Sequence, residues 1–300
     1  GGTIRTFSNA LAASFATLIV LSLLVFPISE GIAWLGANLV LVIAGYFIGR
    51  GHKTWTRALV ILWLASFALT LVLLQGFVGN ELLPEVGTSR WGGLLLTTML
   101  SVASIVLSFP LGVLLALGRR SELPAVKWFS ILYIELVRGV PLVTILFMTQ
   151  IMLPLFLPTD FRIDNVVRAM AGFTLFTAAY MAENVRGGLQ AIPGGQVEAA
   201  EALGLSGMYV TLFIVLPQAL RMVIPATVGL FISLFKDTTL VLIVGLLDLL
   251  GVGRSVLAQP QYLGLQTEVY VFVAAIFFIF SYAMSFASYR IESALGVGKR

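Results

Sequence analysis

The sequence predicts an all-α integral membrane protein with about eight transmembrane helices and cytoplasmic N and C termini. Three observations carry this. Mean hydropathy is +1.02 and only 11% of the 300 residues are charged, against about 25% in ordinary soluble domains. The apolar residues fall in continuous runs of about 18 to 25, enough to cross a hydrocarbon core of roughly 30 Å as helix, and they do not alternate as barrel strands do. Ten of the eighteen basic residues lie in four groups: Arg5; Arg50, Lys53 and Arg57; Arg119, Arg120 and Lys127; Arg290, Lys299 and Arg300. With eight spans all four groups share one side, which the positive-inside rule makes cytoplasmic.

Taken in order, three spans are expected at residues 10–28, 32–49 and 58–78, and five at 93–117, 139–156, 165–183, 212–235 and 268–289. The first could be mistaken for a secretory signal. No small-x-small site follows it and a second span comes almost at once, so it reads as an anchored helix. Gly45 and Gly49 in the second span read as a packing motif. The stretch "GNELLPEVGTSRWG", residues 79–92, has loop composition. It separates an N-terminal transmembrane extension, 1–80, from a five-span core, 90–290, which holds nearly all the unusual polar chemistry.

Several function classes are disfavoured. Cysteine is absent and the one histidine, His52, lies in a basic loop, so there is no His/Cys cluster for a metal. The tail "GVGKR" lacks the upstream glycine and the Ser/Thr of a phosphate loop, so the chain itself is expected to bind no cofactor and no ATP. The net charge of +4 is spread as topology signals, not as a nucleic-acid-binding face. Nothing forms a nucleophile–base set, so no catalytic residue is expected.

The polar residues at membrane depth leave two readings each. Thr97, Ser101, Ser104 and Ser108 share one face of the first core span, and Ser281, Ser285 and Ser288 repeat the device in the last; they suit a helix-packing seam or a polar pathway. Glu135 with Arg138, and Glu183 with Arg186, are three apart near helix ends; they suit local ion pairs or gating elements. Lys236, Asp237, Thr238 and Thr239 interrupt an apolar run. They suit an internal salt bridge, or a helix broken at Lys236–Thr239 before a re-entrant segment that lines a pathway.

"QAIPGGQVEAAEALGL", Gln190 to Leu205, fits no span. Pro193, Gly194 and Gly195 break the preceding helix and Gly204 can end the next, leaving about two turns at Gln196–Leu203. Glu198 and Glu201 share a face near the positive end of the dipole. An isolated helix this short is marginal in water, so something must hold it: a separate soluble subunit, or the chain's own bundle.

The spacing Glu198, Ala199, Ala200, three residues, Gly204, nine residues, Ile214-x-Leu216-Pro217 resembles the EAA loop, here 185–217, of ABC importer permeases. "YIELVRGVPL", "AYMAENVRGGLQAIPGGQ", "LPQALR" and "FKDTTL" resemble the polar amino acid (histidine/glutamine-type) group. "LALGRRSELP", "VTILFMTQIMLPLFLP" and "DLLG" resemble the M-type subunit of the general L-amino acid importer. The resemblance covers residues 90–290.

It implies a type I importer core of five helices plus a three-helix extension, in a bacterial inner membrane. Gln196, Glu198, Ala199, Ala200, Gly204, Leu216 and Pro217 would then couple to the ATPase. Residues 193–205 would form the coupling helix in a cleft of that subunit. Thr97, Ser101, Lys236, Asp237, Thr238 and Thr239 would be the pathway candidates. Implied partners are two ATPase subunits carrying ATP and Mg, a second paralogous permease chain in a heterodimer, an extracytoplasmic amino-acid-binding protein and the lipid bilayer. One departure stands out: Gly229 follows Pro225 where these permeases often carry Asn. The alternatives are the same scaffold carrying another small polar solute (a peptide, opine or glutamine-type ligand) and an ion-coupled secondary transporter. The latter has no use for an ATPase-docking helix.

Overall fold

The computed structural model describes residues 87–158 and 162–296. The three front spans, with Gly45, Gly49 and His52, and the basic tail beyond Gly296 lie outside the described residues. All regular structure among the described residues is helical.

Helix α1, Gly93–Gly118, is the first core span and runs through Pro110 without a break. Helix α2, Pro124–Gly139, opens on proline at its first turn, where the missing N–H costs no hydrogen bond. Helix α3, Leu142–Phe147, follows Pro141 and runs on as a π turn, Met148–Met152, and a 3-10 turn, Leu153–Phe156. At Gly139–Pro141 the chain bends by 108° between α2 and the segment after it. The π turn has an identifiable cause. Pro154 cannot donate to the Gln150 carbonyl four residues back, so the ladder shifts. Arg168 Nη1 donates to that freed carbonyl instead.

Helix α4, Asn165–Gln190, is capped by the Asp164 carboxylate, which accepts from Val166 N at 2.8 Å. A short helix α5, Gly194–Ala202, follows. The chain re-enters through Gly207–Tyr209 and a second π turn, Val210–Val215, into α6, Leu216–Asp237. Here Pro217 cannot donate to the Phe213 carbonyl, and, one residue on, Gln218 Nε2 donates to the Ile214 carbonyl at 2.8 Å.

The predicted break at Lys236–Thr239 turns out to be a change of helix type. The α-helix ends at Asp237, but Thr238–Val244 continues as 3-10 helix. The Thr238 and Thr239 hydroxyls donate back to the Phe235 and Lys236 carbonyls at 2.7 and 2.9 Å, keeping the last turn supplied with partners. Reversal comes later, at Gly245, whose φ of +83° suits glycine. Helix α7, Leu249–Leu257, and helix α8, Gln266–Leu295, complete the fold.

Among the described residues three helices are long and apolar enough to cross a membrane: Gly93–Gly118, Gly207–Val244 and Gln266–Ser293. The bent pair α2 and α3 makes a fourth if counted as one span. Helix α4 stands at the centre. One apolar core joins Ala116, Ile134, Met181, Val185, Leu189 and Ala219 from α1, α2, α4 and α6. A second joins Leu96, Leu142, Phe173 and Leu234 from α1, α3, α4 and α6. Two glycines let the helices meet closely. A Cβ on Gly112 would stand 2.5 Å from Met181 Cγ, and one on Gly188 2.7 Å from the Ala219 carbonyl. That is how small residues let membrane helices approach.

Candidate functional site

Helix α5 is held at both ends by backbone chemistry. Pro193 precedes it in extended conformation (φ −60°, ψ 135°), and Gln196 N–H bonds to the Pro193 carbonyl at 3.0 Å. At the other end Gly204, at φ +82°, donates to the Glu201 carbonyl at 2.8 Å, and Leu205 N–H donates to the Ala200 carbonyl at 3.2 Å. This is a Schellman closure, in which glycine supplies the left-handed residue.

Between the caps the helix rests on the bundle through Ala200 and the half-buried Val197. Ala200 is its one buried residue and joins the core of Val185, Leu189 and Val210. Gln196, Glu198, Ala199 and Glu201 are exposed. Beside it lies an apolar collar that sequence reasoning did not single out: Leu203 (82% exposed), Met208 (71%) and Phe213 (67%), with Tyr209. Its signal was the apolar residues Leu203, Met208 and Tyr209 between the end of the expected span 165–183 and the start of the one at 212–235. Leu216 is half-buried and Pro217 exposed, where the chain re-enters the bundle.

Glu183 lies about two turns before the end of α4 and gathers a cluster. Arg186 donates to both its oxygens, Nε to Oε1 at 3.0 Å and Nη2 to Oε2 at 2.7 Å. Arg119, at the end of α1, reaches Glu183 Oε1 at 3.2 Å and Glu135 Oε1 at 2.9 Å. Arg138 on α2 reaches Glu183 Oε2 at 3.3 Å. The expected pair Glu183–Arg186 is therefore present, whereas Glu135 and Arg138 do not pair with each other. Residues 135 and 138 each take a partner from another helix, because α2 lies across the ends of α1 and α4. Arg119, read from sequence as a topology residue, is the third cation of the cluster.

The polar candidates divide by position. Thr97, Ser101, Ser104 and Ser108 are all buried in α1. Ser101 donates to the Thr97 carbonyl at 2.6 Å, and Ser104 to the Met170 carbonyl of α4 at 3.4 Å. Thr97 Oγ1 accepts from Leu249 N at 3.1 Å, tying α1 to α7. Thr238 is wholly buried, Lys236 exposed, and Asp237 and Thr239 half-buried. Gly229 has open space around the position of a Cβ. On α8, Ser288 donates to Glu292 Oε1 at 2.6 Å.

Asp248 was not picked out from sequence as a candidate. It is fully buried and caps α7, accepting from Gly251 N at 2.9 Å and Leu250 N at 3.2 Å. An Asp followed by an apolar helical run is an N-cap signal that could have found it.

Residues 108–295 match the family described as binding-protein-dependent transport system inner membrane component. The chain belongs to this family. It is 45% identical over 253 residues to the inner membrane amino-acid ABC transporter permease protein YhdY of Escherichia coli, covering 84% of this chain and 66% of that one. It is 47% identical over 236 residues to the glutamate/glutamine/aspartate/asparagine transport system permease protein BztC of Rhodobacter capsulatus, covering 78% of this chain and 54% of that one. The chain thus spans 66% and 54% of the length of these two relatives. Among solved structures, that of an amino acid ABC transporter with histidines superposes with a TM-score of 0.60 at 28% identity, over 67% of this chain and 92% of that one.

Proposed function

We propose that this chain is the permease subunit of an ATP-driven importer of L-amino acids in the bacterial inner membrane. Two ATPase subunits carry the nucleotide, a second related permease completes the pathway, and an extracytoplasmic binding protein delivers the solute. On this reading the core is of the type I importer kind, preceded by a three-helix extension at 1–80, with eight spans in all and both termini cytoplasmic.

The observation that carries the reading is α5. A two-turn helix, closed by Pro193 and Gly204, touches the bundle through Ala200 and the half-buried Val197 and is flanked by an exposed apolar collar. Such a helix buries too little against its own chain to justify its order, and its shape suits a cleft on a separate subunit. The relatives' names supply the class of solute. Lys236, Asp237 and Thr239 are the polar groups of the α6 end left accessible for a pathway, while Thr97, Ser101 and Thr238 support the helices that frame it.

Docking is tested by replacing Gly204 with Val. The β-branched residue is strained at φ +82°, so the end of α5 must move while the bundle does not. ATP-dependent uptake in reconstituted vesicles should fall by about tenfold or more, with the protein still inserted in the membrane. Full uptake in that variant would overturn the assignment of α5. Uptake by the parent complex without ATP would overturn the importer.

A further inference from the structure

We infer that Glu183 is a positioning residue for α5: with Arg119, Arg138 and Arg186 it forms a clasp that makes the end of α4, and hence the docking helix, move as one body with α1 and α2. The inference rests on the permease reading above.

Both carboxylate oxygens of Glu183 are engaged, each by two guanidiniums. Oε1 takes Arg119 and Arg186, and Oε2 takes Arg138 and Arg186. The Glu183 side chain is only 15% exposed, so these bonds are partly shielded from solvent and salt. Arg186 then reaches onward, donating Nη1 to Gln190 Oε1 at 3.0 Å. Gln190 is the last residue of α4, and Pro193 begins the turn into α5.

The link between them has no slack. Ala191 N–H bonds back to both the Gly187 and Gly188 carbonyls at 3.2 Å. Gly188 is seated against the Ala219 backbone, and Ala200 of α5 shares a core with Leu189. Displacement of α5 therefore reaches Gln190 and Arg186 directly. What happens next depends on Glu183. Were it bonded to Arg186 alone, it would do no more than stiffen one helix end, as an i,i+3 pair does for a few tenths of a kcal/mol. The bonds to Arg119 and Arg138 serve no purpose within α4. They join it to the corner where α1 ends and to α2, adding a polar tie to the apolar core in which Ala116 and Ile134 already meet Val185, Leu189 and Ala200.

The test is uptake per ATP hydrolysed, in proteoliposomes holding the intact complex, with a radiolabelled L-amino acid mixture as probe. Glu183→Gln keeps the side chain's shape and leaves three guanidiniums with Glu135 alone. Its ATP hydrolysis and subunit association should persist, while uptake per ATP drops by about tenfold. Arg138→Gln, at the rim of the cluster, should drop it by about fivefold and decides the matter if Glu183→Gln does not assemble. An unchanged ratio in the assembled variants, or parallel loss of hydrolysis and uptake, would overturn the clasp. Parent complexes that import without ATP would remove the permease reading itself, an outcome visible before any variant is made.

Discussion

Helices α4 and α8 invert the ordering expected of a water-soluble protein. Helix α4 carries Asn165, Arg168, Glu183, Arg186 and Gln190, and its composition alone does not qualify it as a membrane span. Yet it is the most enclosed helix, with Phe173, Ala178, Ala179, Met181, Ala182 and Val185 all fully buried. Helix α8 is among the most apolar, and among its described residues only Val273, Ile276 and Ser288 are buried. The reason is the solvent. Lipid rewards apolar side chains on the outside and gives nothing for moving them inside, whereas polar groups need protein partners. In this chain polarity, not hydropathy, marks the structural centre.

The largest effect should come from cutting into that centre. Phe173→Ala empties a site with no exposure at all. In a soluble core the change costs about 3–5 kcal/mol. Here the reference state is lipid, so the transfer share falls away and a packing share of about 2 kcal/mol should remain. A thermal unfolding series in detergent checks it, and a full soluble-type loss would show that water reaches this part of the bundle.

A smaller effect is expected at the seam between α1 and α7. Thr97→Val is nearly isosteric but takes away the acceptor for Leu249 N. Leaving a buried N–H unpaired costs about 1–3 kcal/mol, and because only the start of α7 depends on it, opening should be local. Hydrogen exchange at Leu249–Gly251 should rise while the amides of α4 stay protected. Equal acceleration in both would mean that the two regions open together.

These contrasts bear on what the sequence could and could not convey. Spans bounded by continuous apolar runs were legible: residues 93–117 and 268–289 were expected, and Gly93–Gly118 and Gln266–Leu295 are helical. The two turns of α5 were legible because proline and glycine punctuate them. Helix α4 was legible in its start at 165 but not in its end, which lies at Gln190 and not at 183, nor in its centrality, since burial depends on neighbours the local pattern does not name. The cluster shows the same limit. Glu183–Arg186 follows from helical spacing, but Arg119–Glu183 joins residues 64 apart, and its formation depends on how α1, α2 and α4 cross. The step at Lys236–Thr239 was placed on the right residues and given the wrong geometry: the Thr238 and Thr239 hydroxyls bond back to the last α-helical carbonyls, and the chain runs on as 3-10 helix to Val244.

The smallest effect is predicted on α8, where Phe272 is 65% exposed to the surroundings of the chain. Phe272→Leu exchanges one apolar side chain for another on a face that the other described residues leave uncovered. If that face meets lipid, the surroundings refill the space at no packing cost, and stability should shift by no more than about 0.5 kcal/mol. The same substitution reads differently if protein covers the face. Interface aromatics in well-packed pockets cost about 2 kcal/mol or more when truncated, and that loss would appear only in the assembled complex. Measuring the substitution in both the isolated chain and the complex therefore separates the two environments. Equal small shifts assign Phe272 to lipid and keep the contrast with α4, while a loss confined to the complex assigns it to a protein interface.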